Sequence, residues 1–509
     1  MEKKYLMKYS SHMQSNKRFC GVLIHPTSFP SPYGIGDLGI EARKILSLMS
    51  QAGLHLWQIL PLGPTGYGDS PYSSRSCFAG NELLIDIRSL NTLFSDIKLD
   101  YPDPCPDRCS RVNYPAVFAH KMVYLKEIAS QFAQKHSTDP DYVNFCSENA
   151  WWLDDYALYK SLIERFNDSR WFLWPDDLKN RKKTALTKWK KELAAELEVV
   201  KVLQYFFFSQ WNSLHKFANE IGIQIIGDLP IFAASDSVDV WANQRLFKLD
   251  AQGNQTALAG CPPDAFSPTG QLWGNPVYNW KEHEKDDFTW WRSRVESSLK
   301  LVDILRIDHF RGFESYWETP AGEATAVNGK WMPGPGMKLL CYFKGKNIIA
   351  EDLGVITPEV RKLQEDSGFP GMRVYQFAFD LSKGYFDTSN AYLPHNFIKN
   401  CVAYTGTHDN ETTLGWYSWQ SDAYKDLIRR YLQCPDNEVV WQMMRSLLAS
   451  SANYVIFPMQ DIMGLDNSAR MNQPSTVGSS NWSWRMNPSN LEDWKLNRLR
   501  EYIQLYGRA

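Results

Sequence analysis

A chain of 509 residues with 55 Lys plus Arg against 57 Asp plus Glu carries a net charge of −2, which offers no basic field for nucleic acid or an anionic membrane. Its 44% hydrophobic and 22% charged residues fit an ordinary soluble globular enzyme, and the one basic cluster, at 179–191, reads as a solvated helix face. Residues 1–18 are polar, without the apolar core of a secretory signal, and the best apolar stretch, 439–459, contains Arg445 and Asn453, so a cytoplasmic protein with no membrane span is expected.

Eight segments have the short, continuously apolar look of buried parallel strands: 21–27, 55–60, 224–228, 303–308, 347–351, 373–379, 402–407 and 454–459. The first is followed by a helical pattern with Ile40, Ile45, Leu46, Leu48 and Met49 that stops at Gly53. After the second come about 160 residues, too many for one crossover helix. They include helical runs at 151–166 and 188–217, so 63–222 is expected to be a largely helical insertion. After the third strand, 236–280 is rich in Gly, Pro, Asn and Asp. It is expected to be a long loop over the strand ends, where such barrels bind substrate. Behind the fifth strand Thr357 and Pro358 make an N-cap and first-turn pair, and Gly368 a stop.

Eight such units predict an α/β fold, a (β/α)8 TIM barrel spanning 19–509 with inserted subdomains between strands 2 and 3 and after strand 3, and residues 1–18 as a tail. The nine cysteines are scattered; Cys105 and Cys109 stand close, but no histidines follow at zinc-site distances, so reduced thiols and no metal site are expected. The 20 Trp, 25 Tyr and 26 Phe fill much of the core, and the flat apolar faces and polar edges of Trp and Tyr also suit sugars.

Three of the strand patterns end in carboxylates: Leu-Arg-Ile-Asp-His-Phe-Arg-Gly (305–312), Ile-Ile-Ala-Glu-Asp-Leu-Gly (348–354) and Tyr-Thr-Gly-Thr-His-Asp-Asn (404–410). A barrel gathers such ends at one face. Arg306 and Asp308 are two apart on one strand and face the same side, either as a structural ion pair or as a nucleophile kept anionic by its neighbour. The apolar approach to Glu351 would desolvate it and raise its pKa, as a general acid needs, with Asp352 pointing away. The alternative is that Asp352 faces the site and Glu351 merely pairs with a barrel lysine or arginine. His408 and Asp409 could hold sugar hydroxyls and a developing oxocarbenium; alternatively Asp409, with Asn410 and Thr412, is a helix N-cap. Asp228, in Ile-Gly-Asp-Leu-Pro, is a fourth candidate. Converging carboxylates are what chemistry at a glycosidic bond requires.

Together these motifs, with His-Pro-Thr-Ser and Tyr-Gly-Ile-Gly-Asp-Leu-Gly (25–39), Ser-Pro-Tyr (70–72), Phe-Ala-Gly-Asn (78–81), Pro-Pro-Asp (262–264), Gly-Gln-Leu-Trp-Gly-Asn-Pro (270–276) and Ala-Arg-Met-Asn (469–472), make the chain resemble the 4-α-glucanotransferases of glycoside hydrolase family 77, the amylomaltases or disproportionating enzymes, related to the α-amylase clan. The resemblance implies Asp308 as nucleophile, Glu351 as general acid/base and Asp409 as transition-state stabiliser, with Asp228, Arg306 and His408 supporting them. It implies Tyr72 stacked on a bound glucose, Gln271 and Trp273 in a lid on the acceptor side, and Asn472 as a substrate contact. It implies maltooligosaccharides and α-1,4-glucans as partners, no metal or organic cofactor, and a monomer or weak homodimer. The runner-up activity is hydrolysis by the same carboxylates; a catalytically idle glycan-binding barrel is the reading from another class. The chain departs from the family's usual pattern at Glu82, where Pro is usual after Asn81, and at Ser475 and Ser480, where Gly is common.

Overall fold

Short runs of β-branched and apolar residues that are buried on both faces can be satisfied only inside a sheet covered on both sides. The computed structural model describes residues 18–94, 96–97, 111–263, 267–381 and 384–509. Its strands are β1 (Phe19–Leu23), β2 (Leu56–Gln58), β3 (Gln224–Leu229), β4 (Ala257–Cys261), β5 (Gln271–Pro276), β6 (Ile304–Ile307), β7 (Ser315–Pro320), β8 (Lys330–Pro333), β9 (Ile348–Ala350), β10 (Gly371–Val374), β11 (Cys401–Tyr404) and β12 (Tyr454–Pro458). Eight of them close a parallel barrel in the order β1-β2-β3-β6-β9-β10-β11-β12, with β12 back beside β1. This is the (β/α)8 barrel expected, and each of the eight strand patterns supplies one member. The sixth differs most: the chain leaves the ladder after Val374 into a 3-10 turn, Tyr375–Ala378. That segment is mostly buried and apolar too, and apolarity alone does not distinguish a buried turn from a buried strand.

The other four strands form an antiparallel sheet, β5-β4-β7-β8. This corrects the reading of 236–280 as a loop. Ser237 caps a short helix, Val238–Ala242, β4 and β5 pair with each other, and β4 also pairs with β7, which arrives from between β6 and β9. Their Gly, Asn and Pro content disguises them, because strand formation here rests on pairing with a distant hairpin rather than on local propensity.

Between β2 and β3 the chain is largely helical. Helix α1 (Ile40–Gln51) follows β1, and the insertion adds α2 (Tyr114–His136), α3 (Pro140–Phe166) and α4 (Ala194–Glu220). Asp139 accepts from the N–H groups of Asp141 and Tyr142 to start α3, and Asn167 in the left-handed region stops it. α3 and α4 pack together, with Trp152 and Phe145 of α3 against Phe208 of α4 at 5.8 and 5.7 Å between ring centroids. The basic cluster at 179–191 leaves Lys182, Lys183, Lys188, Lys190 and Lys191 exposed. Among the described residues no helix is long and apolar enough to cross a membrane, and the cysteines are free thiols. Cys105, Cys109, Asp264 and residues 1–17 lie outside the described residues.

Candidate active site

β3, β6 and β9 are neighbours, and their C-terminal ends share one face of the barrel. The β3–β6 register sets Asp228 opposite Arg306. Arg306 Nη1 donates to both oxygens of Asp228, at 2.7 and 2.6 Å, and Nη2 lies 2.9 Å from Asp308 Oδ1. The two-residue alternation of a strand therefore brings the guanidinium and Asp308 together. Burial opposes a charged guanidinium, but Asp228 and Asp308 outweigh it and hold Arg306 firmly protonated. Tyr72 donates its hydroxyl to Asp228 Oδ2 at 2.7 Å, and burial with the Asp228 charge keeps the phenol protonated. The Asp228 and Arg306 side chains are 0% and 4% exposed, whereas Asp308 is 29% exposed, so of this group Asp308 faces the cleft.

Glu351 is the first residue after β9. Its N–H donates to Ile307 O and its carbonyl accepts from Phe310 N, both at 3.0 Å. Its carboxylate accepts from His309 N at 2.8 Å and from Leu353 N at 3.2 Å. His309 can point its N–H there because it sits at φ 51°, a conformation that few non-glycine residues take. Burial first, then the negative charge of Asp308, pushes Glu351 up to about 8 despite Arg306. Asp352 turns the other way, accepting from Met372 N at 2.6 Å and Arg373 Nη1 at 3.2 Å. Gly371 makes room for it, since a Cβ there would lie 2.5 Å from Asp352 Oδ2. The arrangement with Asp352 in the cleft is thereby excluded.

Asp409 lies in the loop after β11. Its Oδ1 accepts from Asn472 Nδ2 at 2.6 Å, and Oδ2 is 3.3 Å from His408 Nε2. Burial would raise this carboxyl, but the His408 charge and the bonds from His408 and Asn472 hold it down to about 2. Burial likewise opposes a charged His408, and Asp409 overcomes it, raising the imidazole above its ordinary value. His408 stacks on Tyr72 with centroids 5.2 Å apart, and Trp482 packs against both. Asp409 is not an N-cap: Thr412 caps the helix Thr413–Ser418, accepting from Gly415 N at 3.1 Å.

Gln271 and Trp273 stand on β5, joined by a bond from Trp273 Nε1 to Gln271 Oε1 of 3.1 Å. Trp273 meets His309 edge to face with centroids 4.9 Å apart, which sets the small sheet beside Glu351. The candidates named from sequence thus gather at one face. Sequence reasoning missed His309, Trp482 and Arg470, whose guanidinium donates to Asp409 O at 2.6 Å and Asn472 O at 2.7 Å. His309 stood inside a quoted motif, but nothing local announces its left-handed backbone. No group of residues able to hold a metal occurs among the described residues. A carboxylate on a guanidinium, a carboxyl held protonated and a carboxylate held anionic can together attack, protonate and stabilise at an acetal carbon.

The family model described as 4-alpha-glucanotransferase, Glyco_hydro_77, matches residues 24–491. A 4-alpha-glucanotransferase of Clostridium butyricum is 46% identical over 494 residues, covering 96% of this chain and 100% of that protein. One from Thermus thermophilus is 45% identical over 505 residues, covering 96% and 99%. Among solved structures, the amylomaltase from Streptococcus agalactiae in complex with acarbose is 37% identical, with a TM-score of 0.90 over 97% of this chain and 100% of that one.

Proposed function

This chain belongs to the glycoside hydrolase 77 family of 4-alpha-glucanotransferases, and from that premise we propose that it transfers α-1,4-glucan segments by a retaining double displacement carried by Asp308, Glu351 and Asp409. Asp308 attacks the anomeric carbon of the donor while Glu351 gives its proton to the departing 4-oxygen. The released fragment leaves, and a β-glucosyl ester remains on Asp308. An acceptor then enters; Glu351 takes the proton of its 4-hydroxyl, that oxygen attacks, and an α-1,4 bond forms as the Asp308 carboxylate is freed. Asp409 stabilises the oxocarbenium-like transition states. Asp228, Arg306, Tyr72, His408 and Asn472 hold the −1 sugar and the catalytic carboxylates in place, and Gln271 and Trp273 shelter the acceptor side from water.

The observation that carries this reading is the gathering at one barrel face of Asp308 on Arg306, Glu351 held by the N–H groups of His309 and Leu353, and Asp409 between His408 and Asn472, with Glu351 pushed up and Asp409 held down. Retaining enzymes place nucleophile and acid about 5–5.5 Å apart. His309, the residue after Asp308, donates to Glu351 and holds the two on one short span. Maltooligosaccharides and α-1,4-glucans are the substrates, and the enzyme works in the cytoplasm as a monomer or weak homodimer, in keeping with its near-neutral charge and scattered thiols. Hydrolysis is not favoured, since the well-covered relatives are transferases.

Trapping tests the assignment. Glu351→Gln incubated with α-maltosyl fluoride, whose leaving group needs no proton, should accumulate protein heavier by one maltosyl unit, with the label on the peptide containing Asp308. A label on any other residue would contradict it.

A further inference from the structure

The span after Asp308 makes one 3-10 turn, Phe310–Phe313, and runs into β7. It therefore joins the carboxylate end of β6 to the small antiparallel sheet. Arg311 lies in this span, 4% exposed, and its guanidinium has three attachments. Nη1 donates to the carbonyl of Val355, in the loop that follows Glu351. Nη2 donates to Ser315 Oγ, at the start of β7, at 3.1 Å. The guanidinium also lies 3.7 Å from the ring centroid of Trp331 on β8, which packs edge-on against Trp317 of β7 at 5.2 Å. Its burial is supported by a carbonyl, an indole face and the Ser315 hydroxyl, which in turn donates to the Glu314 carboxylate, whose charge favours the guanidinium.

The geometry singles out what this arrangement holds. The two N–H groups that grip the Glu351 carboxylate belong to His309 and Leu353. His309 stands two residues before Arg311, and Leu353 two residues before Val355. Arg311 thus ties together the two backbone segments that orient Glu351.

We propose that Arg311 is a positioning residue for Glu351: it fastens the loop behind the acid/base to the span that leads into the small sheet, and so sets the proton-transfer geometry without touching substrate. The inference rests on the reading of Glu351 as acid/base. Misplacement of a reacting group by about 1 Å costs on the order of a hundredfold in rate, so loosening this fastening should be visible in catalysis.

The test compares two donors, maltotriose, which needs a proton on its leaving oxygen, and α-maltosyl fluoride, which does not. For Arg311→Gln, kcat on maltotriose should fall about tenfold or more with KM nearly unchanged, while the burst rate of fluoride release stays within about twofold of wild type. Glu351→Gln should show the same split more strongly. Parallel loss on both donors would make Arg311 a general support of the site and overturn the proposal; so would unchanged rates on both. A Glu351→Gln variant without the split would instead remove the acid/base reading beneath it. Should Arg311→Gln not fold, Trp331→Leu, at a position 38% exposed, removes the stacking partner and should give a smaller version of the same split. Its absence there would equally overturn the proposal.

Discussion

At Glu351 the largest influence is burial, followed by the charge of Asp308, and the carboxyl rises to about 8. In the proposed mechanism the glycosylation step needs its protonated form. Activity governed by that step is therefore full at neutral pH and lost as pH climbs through about 8. The basic limb of kcat/KM for a maltooligosaccharide donor should fall there, and Glu351→Gln should remove the limb along with about 10²- to 10⁴-fold of the rate. At Ser475, where the resemblance leads one to expect Gly, φ is 62°. A side chain in that conformation costs about 1 kcal/mol relative to Gly, which gives the family's preference a physical reason.

Glu82, another departure from the family pattern, shows how a single residue ties elements together. Asn81 caps the 3-10 turn Glu82–Leu84, and the Glu82 carboxylate accepts from Tyr156 on α3 at 2.7 Å and lies 3.7 Å from Lys160 Nζ. Both Glu82 and Lys160 are buried. Glu82→Ala leaves Lys160 unpaired and should destabilise by about 3–5 kcal/mol in urea unfolding, with the turnover of the folded enzyme little changed. The elements also show what the sequence made legible. The barrel strands are continuous apolar runs between turn residues, and Thr357 with Gly368 marks both ends of the helix Pro358–Ser367. Alternation along β6 is enough to pair Arg306 with Asp308, and alternation after β9 to separate Glu351 from Asp352. By contrast β4 and β5 carry Gly, Asn and Pro, and the strand that completes their sheet, β7, pairs with β4 from beyond β6, so local propensity does not reveal them. Arg470 reaches Asp409, and Trp482 reaches His408, because β11 and β12 are neighbours, and Trp482 reaches Tyr72 because the barrel closes β12 onto β1; the motif at 469–472 marks the segment but not these contacts.

Closure of the whole barrel also depends on groups far from the cleft. Arg508 is fully buried and donates to Leu448 O at 2.7 Å and to Ser450 O and Ala452 O at 2.9 Å, satisfying carbonyls left over where the helix Val439–Ala449 ends. Arg508→Ala should cost about 3–5 kcal/mol of stability, read by chemical denaturation, because several buried acceptors lose a charged donor at once. Acid should weaken the molecule as a whole. Burial lowers His25 to about 3 and His283 and His309 to about 4, with His408 adding to the effect at His25, and Asp286 and Asp308 opposing it at His283 and His309. Unfolded histidines bind protons below about 6.5 while these three stay neutral in the fold, so stability should decline as pH drops from about 6.5 towards 4 and be unaffected by these groups above 7. Urea midpoints measured across that range check it, and a flat profile would show that the three imidazoles charge freely in the native state.

The central claim is that Asp308 and Glu351 hand a glucan to another sugar rather than to water. Incubating the protein with maltotriose, while following the oligosaccharide ladder and total reducing ends, tests it most directly. Glucose and longer oligomers at constant reducing ends, abolished in Asp308→Asn, is the predicted result; rising reducing ends with only shorter products, or activity that survives Asp308→Asn, would contradict it.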